Sequence, residues 1–193
     1  MIIKPDNEML SYSGRIDFDD RLAPVLVYAC SSIGMKFTGT SLKAVIVNHR
    51  SCWTNELGYF IDGEQKRFTL SSDEEKKTYT LAENLPEGTH ELLLFKRMDS
   101  CHTFTFYGFE IDDGAKVLAL PEKPKRKMEF FGDSVSCGEV SEAVEYAGKP
   151  DPEHDGEYSN SWYSYAWMTA RKLNAQIHDT SQGGISLLDD TGW

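Results

Sequence analysis

Eight short apolar alternations, each closed within a few positions by turn-forming residues, fill the chain from Tyr12 to about Leu120. They are Val25-Leu26-Val27-Tyr28, Met35-Lys36-Phe37, Leu42 to Val47, Tyr59-Phe60-Ile61, Phe68-Thr69-Leu70, Thr78-Tyr79-Thr80-Leu81, Leu92 to Phe95 and Phe104 to Phe109. Between them stand Gly39-Thr40-Ser41, Asp62-Gly63, Ser71-Ser72-Asp73, Pro86-Glu87-Gly88 and Asp112-Asp113-Gly114. Alternation with a period of two buries one face of a strand, and these turn residues supply the reversals that antiparallel neighbours need. The spacing predicts a β-sandwich over residues 1–120, of jelly-roll type.

The pattern stops at Pro121-Glu122-Lys123-Pro124-Lys125-Arg126-Lys127. Two prolines and no apolar side chain can neither enter a sheet interior nor sustain a helix, so residues 121–127 read as a linker between two domains. The basic run has a rival reading as a nucleic-acid patch. However, 20 Lys and Arg against 31 Asp and Glu leave the chain at −11 at pH 7, and no aromatic residue interleaves the run. Such a charge repels phosphate backbones and anionic lipid, so neither nucleic acid nor membrane is an expected partner. No apolar run approaches the roughly 18 residues of a membrane span, and Met1 to Asp6 lacks the plan of a secretory signal. As written, the chain is expected in the cytoplasm, or outside the cell if a signal has been removed. Cys30, Cys52, Cys101 and Cys137 are too dispersed for a structural zinc site, so reduced thiols are the default and no metal or organic cofactor is expected.

Beyond the linker, Met128-Glu129-Phe130-Phe131 reads as a strand that ends at Gly132-Asp133-Ser134. A polar loop follows from Glu139 to about Asn160. Trp162, Tyr165, Ala166, Thr169 and Leu173 then recur at helical spacing over Ser161 to Leu173, with Asn160 or Ser161 as N-cap and Arg171-Lys172 in the last turn. Ala175-Gln176-Ile177-His178 is a second strand, giving a βαβ unit. Catalytic groups of such a unit sit at the C-terminal strand ends, which is where Ser134 lies, beside a glycine that permits a tight turn and close approach of a substrate. A hydroxyl so placed can attack an acyl carbon once a base removes its proton, and its own N–H can help hold the oxyanion. A Gly-Asp-Ser tripeptide on its own more often caps a turn, so the surrounding string matters.

That string, Phe130-Phe131-Gly132-Asp133-Ser134-Val135-Ser136-Cys137-Gly138, resembles the first block of the GDSL/SGNH hydrolases. Ser181-Gln182-Gly183-Gly184-Ile185-Ser186 resembles their second block, whose glycine amide joins the nucleophile's amide in the oxyanion hole. The resemblance implies Ser134 as nucleophile and Ser134 and Gly184 as oxyanion donors, with Gly183 an alternative register. A leading sandwich with Ser13-Gly14-Arg15, Phe37-Thr38-Gly39-Thr40-Ser41, Ile61-Asp62-Gly63, Gly88-Thr89-His90 and Leu94-Phe95-Lys96-Arg97 ahead of this block is similar to carbohydrate esterase family 2. The fold so implied is a β-sandwich followed by the first part of an SGNH-type α/β/α hydrolase domain, residues 128–193. The activity implied is removal of O-acetyl groups from xylan-type polysaccharide or oligosaccharide by a serine acyl-enzyme route without cofactors, the substrate being an acetylated carbohydrate.

After the second block the sequence carries neither the superfamily's Gly-x-Asn-Asp asparagine nor the Asp-x-x-His base of its last block. Two parallel strands and one helix would also leave bare sheet edges and an uncovered face. Residues 128–193 are therefore expected to need the remainder of the hydrolase domain as a partner, from a longer polypeptide or a companion chain. The rival function is a carbohydrate-binding protein with a vestigial hydrolase segment. Among the remaining residues, His178 is the best internal base candidate, although a strand histidine is more often packed than catalytic. Glu153-His154-Asp155 lacks the ligand spacing of a metal site. Asp133 reads as support for the turn, and Cys137 as a small buried side chain. Trp162, Tyr163, Tyr165 and Trp167 read mainly as core, with a sugar-stacking strip as the alternative.

Overall fold

The computed structural model describes residues 1–188. Twelve strands come first: β1 (Ile2–Ile3), β2 (Ser11–Ser13), β3 (Ile16–Asp17), β4 (Val25–Leu26), β5 (Ser32–Thr38), β6 (Leu42–His49), β7 (Glu56–Ile61), β8 (Glu64–Thr69), β9 (Lys77–Ala82), β10 (Thr89–Lys96), β11 (Thr103–Ile111) and β12 (Val117–Leu118). They form two six-stranded antiparallel sheets. One runs β3-β4-β11-β6-β9 with β1 also on β11, and the other runs β12-β5-β10-β7-β8 with β2 also on β5. Leu42, Ala44, Ile46, Phe104, Phe106 and Phe109 of the first sheet meet Ile33, Met35, Phe37, Leu57, Leu92 and Leu94 of the second in one core. Burying each of the larger of these side chains stabilises the fold by about 1.5 to 3 kcal/mol.

The alternation along β11 changes phase midway, from Phe104 and Phe106 to Phe109 and Ile111 facing the core. A bulge between Phe106 and Gly108 inserts the extra residue that makes this shift. Gly108 has φ +125°, and a Cβ there would lie 2.4 Å from the Ile3 carbonyl oxygen, so only glycine fits.

The remaining elements are β13 (Arg126–Gly132), α1 (Ser134–Cys137), 3-10 turns at Val144–Tyr146 and Ser161–Tyr163, α2 (Tyr165–Lys172) and β14 (Ala175–Ser181). β13 and β14 pair in parallel from Arg126↔Ala175 to Gly132↔Ser181. Both strands outrun the sequence expectation, β13 by taking in Arg126 and Lys127 and β14 by reaching Ser181. The helix expected over Ser161 to Leu173 is in fact two pieces. Ser164 is extended, at φ −62° and ψ 147°, and its hydroxyl caps α2 by accepting the Trp167 N–H, while Asn160 caps the preceding turn through the Trp162 N–H.

One face of the β13-β14 pair is covered from the sandwich as well as by α2, while Lys127, Glu129 and Phe131 leave the other face of β13 exposed, as expected. On β10, Leu92 and Leu94 point into the sandwich core, while Leu93 and Phe95 point the other way into a second core with Ala29, Cys30, Phe60, Met128, Phe130, Cys137, Trp162, Ala166, Trp167, Ala170 and Ile177. Phe95 lies across Gly58 of β7, where a Cβ would stand 2.1 Å from the ring. The sandwich thus serves as the packing layer for α2 and β14, and β10 is apolar on both faces because both are buried. Among the described residues no helix is long and apolar enough to cross a membrane. All four cysteines are free thiols.

Candidate active site

Ser134 is the first residue of α1, two positions beyond the end of β13, and is half-buried. Asp133 caps this single turn: its carboxylate accepts the Val135 N–H at 3.0 Å, the supporting role expected of it. Gly138 closes the turn at φ +76°, donating its N–H to the carbonyls of Ser134 and Val135. A Cβ on Gly138 would lie 2.7 Å from the Asn160 carbonyl oxygen, so the position requires glycine for both backbone and space. Gly132 has a different task from the one expected. A Cβ there would sit 2.0 Å from Ser136 Oγ, so its smallness admits Ser136 rather than a substrate.

Ser134 opens on a crevice of about 410 Å³ whose walls include Glu139, Asp151, Tyr163, Ser164 and Tyr165. The four aromatic residues read from the sequence divide here. Trp162 and Trp167 pack in the second core, whereas Tyr163 and Tyr165 are each about half exposed, at 46% and 49%. The Tyr163 hydroxyl donates to Gln65 Oε1 of β8 at 2.8 Å, and the Tyr165 hydroxyl lies 2.9 Å from Ser136 Oγ. Burial and the neighbouring Asp99 and Asp151 push the Glu139 carboxyl above the usual range, although His154 and His102 partly offset this. A larger cleft of about 640 Å³, lined by Phe60, Leu93, Trp162 and Arg171, does not include Ser134.

The second glycine loop leaves the same end of the sheet, three residues after Ser181. Gly184 stands exposed at φ +74°, and its N–H has no hydrogen-bond partner among the described residues. Gly184 does not line the 410 Å³ crevice. The Gly183 N–H, by contrast, donates to Asp99 Oδ2 at 2.8 Å, and Ser100 Oγ donates to Gln182 Oε1 at 2.9 Å. Asp99 and Ser100 belong to the loop after β10, in the sandwich.

Sequence reasoning missed this loop, and its signal was charge at the end of an apolar strand. Lys96, Arg97 and Asp99 are all buried. Lys96 donates to the carbonyls of Met98 and Asp99, and burial lowers its pKa to about 8. Arg97 donates to the Ser159 carbonyl at 2.9 Å and to Glu142 at 2.7 Å, which ties down the polar loop on the far wall of the crevice.

His178 does not meet Ser134. It lies three residues before the end of β14, about 10 Å along the strand at the usual rise, beside Glu129 of β13, and is not on the crevice. His102 and Asp99 form a histidine–carboxylate pair at 3.3 Å, but His102 is 1% exposed and its Nε2 accepts the Trp53 N–H at 3.1 Å. No ring nitrogen of His102 is left for a serine. Glu153-His154-Asp155 disperses: His154 Nδ1 accepts the Gly156 N–H, and Asp155 binds Thr54. No three His, Cys, Asp or Glu residues gather as a metal site among the described residues. Cys137 is buried, and its thiol is pushed well up by burial and by the charges of Asp179 and Asp99.

Comparison with known proteins adds sequence and fold relationships to this geometry. The family model for the N-terminal part of carbohydrate esterase 2 matches residues 12–121. The cellulase/esterase CelE of Acetivibrio thermocellus is 33% identical over 188 residues, which are 97% of this chain and 22% of that protein. An acetylxylan esterase / glucomannan deacetylase of Cellvibrio japonicus is 26% identical over 165 residues, 82% of this chain and 44% of that protein. Among solved structures, a family two carbohydrate esterase from Clostridium thermocellum in complex with cellohexaose is 32% identical with a TM-score of 0.80, over 92% of this chain and 52% of that one. The chain thus spans less than half the length of these curated relatives and about half of the solved chain.

Proposed function

The chain belongs to carbohydrate esterase family 2, and from that premise we propose that it is part of a serine esterase removing O-acetyl groups from plant polysaccharide or oligosaccharide of xylan type. In this reading residues 1–120 are a jelly-roll sandwich, 121–127 a linker whose last two residues, Arg126 and Lys127, are drawn into β13, and 128–193 the first part of an SGNH-type α/β/α hydrolase domain. The sandwich reading is supported by successive strands that cross repeatedly between the two sheets, from β5 to β6, β6 to β7, β8 to β9 and β9 through β11. The remainder of the hydrolase domain would pair with the sheet and supply the base.

The single observation that carries the reading is the position of Ser134 at the C-terminal end of β13, facing a crevice, with the glycine loop leaving the same end of the parallel strand β14. Ser134 Oγ attacks the acetyl carbonyl as a histidine outside this chain takes its proton, and the N–H groups of Ser134 and Gly184 hold the oxyanion. Collapse of the tetrahedral species releases the sugar hydroxyl and leaves acetyl-Ser134, which water then cleaves to acetate. Glu139 and Asp151 can accept hydrogen bonds from sugar hydroxyls, while Tyr163 and Tyr165 offer apolar ring faces with polar tips.

The exposed Tyr163 and Tyr165 faces also favour a second reading, a carbohydrate-binding protein without turnover. Acetate release from acetylated xylo-oligosaccharide, measured for wild type and Ser134→Ala in the polypeptide that includes the remainder of the hydrolase domain, alongside binding by calorimetry, separates the two. Esterase action requires that release fall at least 100-fold in the variant while binding persists. Equal release by both proteins would reject Ser134 as nucleophile, and binding without release by either would favour the second reading.

A further inference from the structure

We infer that Asp99 is a positioning residue for the esterase reaction, supplied by the sandwich: by holding the Gly183 N–H it fixes the β14 glycine turn and leaves the Gly184 N–H as the donor for the acyl oxygen. This rests on the esterase reading above. The two residues before Gly184 are both held from the same sandwich loop, Gln182 through Ser100 at 2.9 Å and Gly183 through Asp99 at 2.8 Å. A bond to an ionised acceptor is roughly twice as strong as a neutral one. Gly183 is also confined sterically, since a Cβ there would lie 2.9 Å from Glu139 Oε2 and 3.0 Å from Asp99 Oδ2.

Asp99 is itself held by a chain of donors that leaves little freedom. The Trp53 N–H donates to His102 Nε2, which places the ring proton on Nδ1, and Nδ1–H donates to Asp99 Oδ1 at 3.3 Å. The Cys101 N–H donates to the same oxygen at 3.2 Å. Burial would raise the Asp99 pKa, but the bonds from His102 and Gly183 and the charge of Lys96 outweigh it and keep the carboxylate ionised. Three donors therefore converge on one buried carboxylate, and only a group with two acceptor oxygens satisfies them. An N–H already committed to Asp99 cannot serve an oxyanion, which selects Gly184 over Gly183.

Asp99→Asn tests this, because its amide leaves one oxygen for three donors. In the full chain, ¹⁵N NMR is expected to show at least tenfold faster hydrogen exchange at the Gly183 amide and a shifted Gly184 amide resonance. In the polypeptide that includes the remainder of the hydrolase domain, kcat on p-nitrophenyl acetate is expected to fall on the order of 10- to 100-fold with KM changing less than about twofold, since displacing an oxyanion donor acts on the transition state. A folded Asp99→Asn chain with unchanged Gly183 exchange, or with unchanged kcat, overturns the inference. Ser100→Ala removes one neutral bond and serves if Asp99→Asn does not fold. A moved Gly184 resonance supports the inference there, and an unmoved one overturns it. If Ser134→Ala turns over as fast as wild type, the esterase reading fails instead, whatever Asp99 does to the glycine amides.

Discussion

Asp179 is a carboxyl group buried in the middle of β14, and its replacement by Asn is expected to stabilise the chain above neutral pH while changing little in acid. The group is 0% exposed. Burial raises its pKa from the ordinary 3.8 to about 6, even though hydrogen bonds from Ser181 Oγ and Cys30 Sγ favour the ionised form. Below pH 3.8 both folded and unfolded chains hold the proton, and the group makes no difference to stability. Between 3.8 and about 6 the unfolded chain ionises first, so folding must retain a proton or bury a charge. One pKa unit is worth about 1.4 kcal/mol, so the accumulated cost is at most about 3 kcal/mol above pH 7. Asn matches the neutral acid in size and can keep the contacts to Ser181 and Cys30. Urea unfolding followed by tryptophan fluorescence is a suitable assay, because Trp162 and Trp167 lie in the second core with Cys30 and Ile177. The stability gained by Asp179→Asn is expected to grow by about 2 kcal/mol from pH 4 to pH 7.5. A gap that stays constant over that range would refute the reasoning, since it would mean that Asp179 ionises in the fold as readily as outside it.

Other perturbations follow from the same structure. Buried His90 holds Asp62 Oδ2 at 2.6 Å through Nδ1 and the Pro86 carbonyl at 2.9 Å through Nε2. Burial alone would lower its pKa, but these two bonds and the Asp62 charge raise it above 6.5. The stability it contributes is therefore full below pH 6.5 and lost as pH rises through the higher folded value. Asp62→Asn should flatten that decline in a pH series of melting curves, and an unchanged slope would count against it. Gly138→Ala should lower the melting temperature by about 4 to 8 °C, from a left-handed backbone cost of about 1 to 2 kcal/mol plus the contact with Asn160. Gly148→Ala, at φ +75° with nothing within 4 Å, should show the backbone cost alone, and equal losses in the two variants would deny the Asn160 contact.

The central strands of both sheets were legible because a period of two and the adjoining turn residues are local properties. Those that were not legible lacked one of the two signals. β8 was read only at Phe68-Thr69, because Glu64 to Arg67 are all polar at a sheet edge that faces solvent. β1 and β12 are two-residue pairings on the longer strands β11 and β5, and β3 is a two-residue pairing on the equally short β4. The helix break at Ser164 was hidden because the apolar spacing continues across it. The run Leu92 to Phe95 was read as one more alternation with a single buried face, although four consecutive apolar residues leave neither face for water.

By itself, the sequence determined the strand-rich first part, the change of pattern at Pro121, and a serine at a strand end between two glycines suited to a tight turn. Each depends on residues within a few positions of one another, where backbone sterics and side-chain period decide the outcome. Only the tertiary structure decided that Tyr163 and Tyr165 face the crevice while Trp162 and Trp167 do not. It alone joined Asp99 to Gly183, 84 residues apart, and set the sandwich against α2 and β14. Those contacts satisfy buried charge and apolar area across the whole fold, and the partner of a buried donor is whichever group the packed chain brings within about 3 Å.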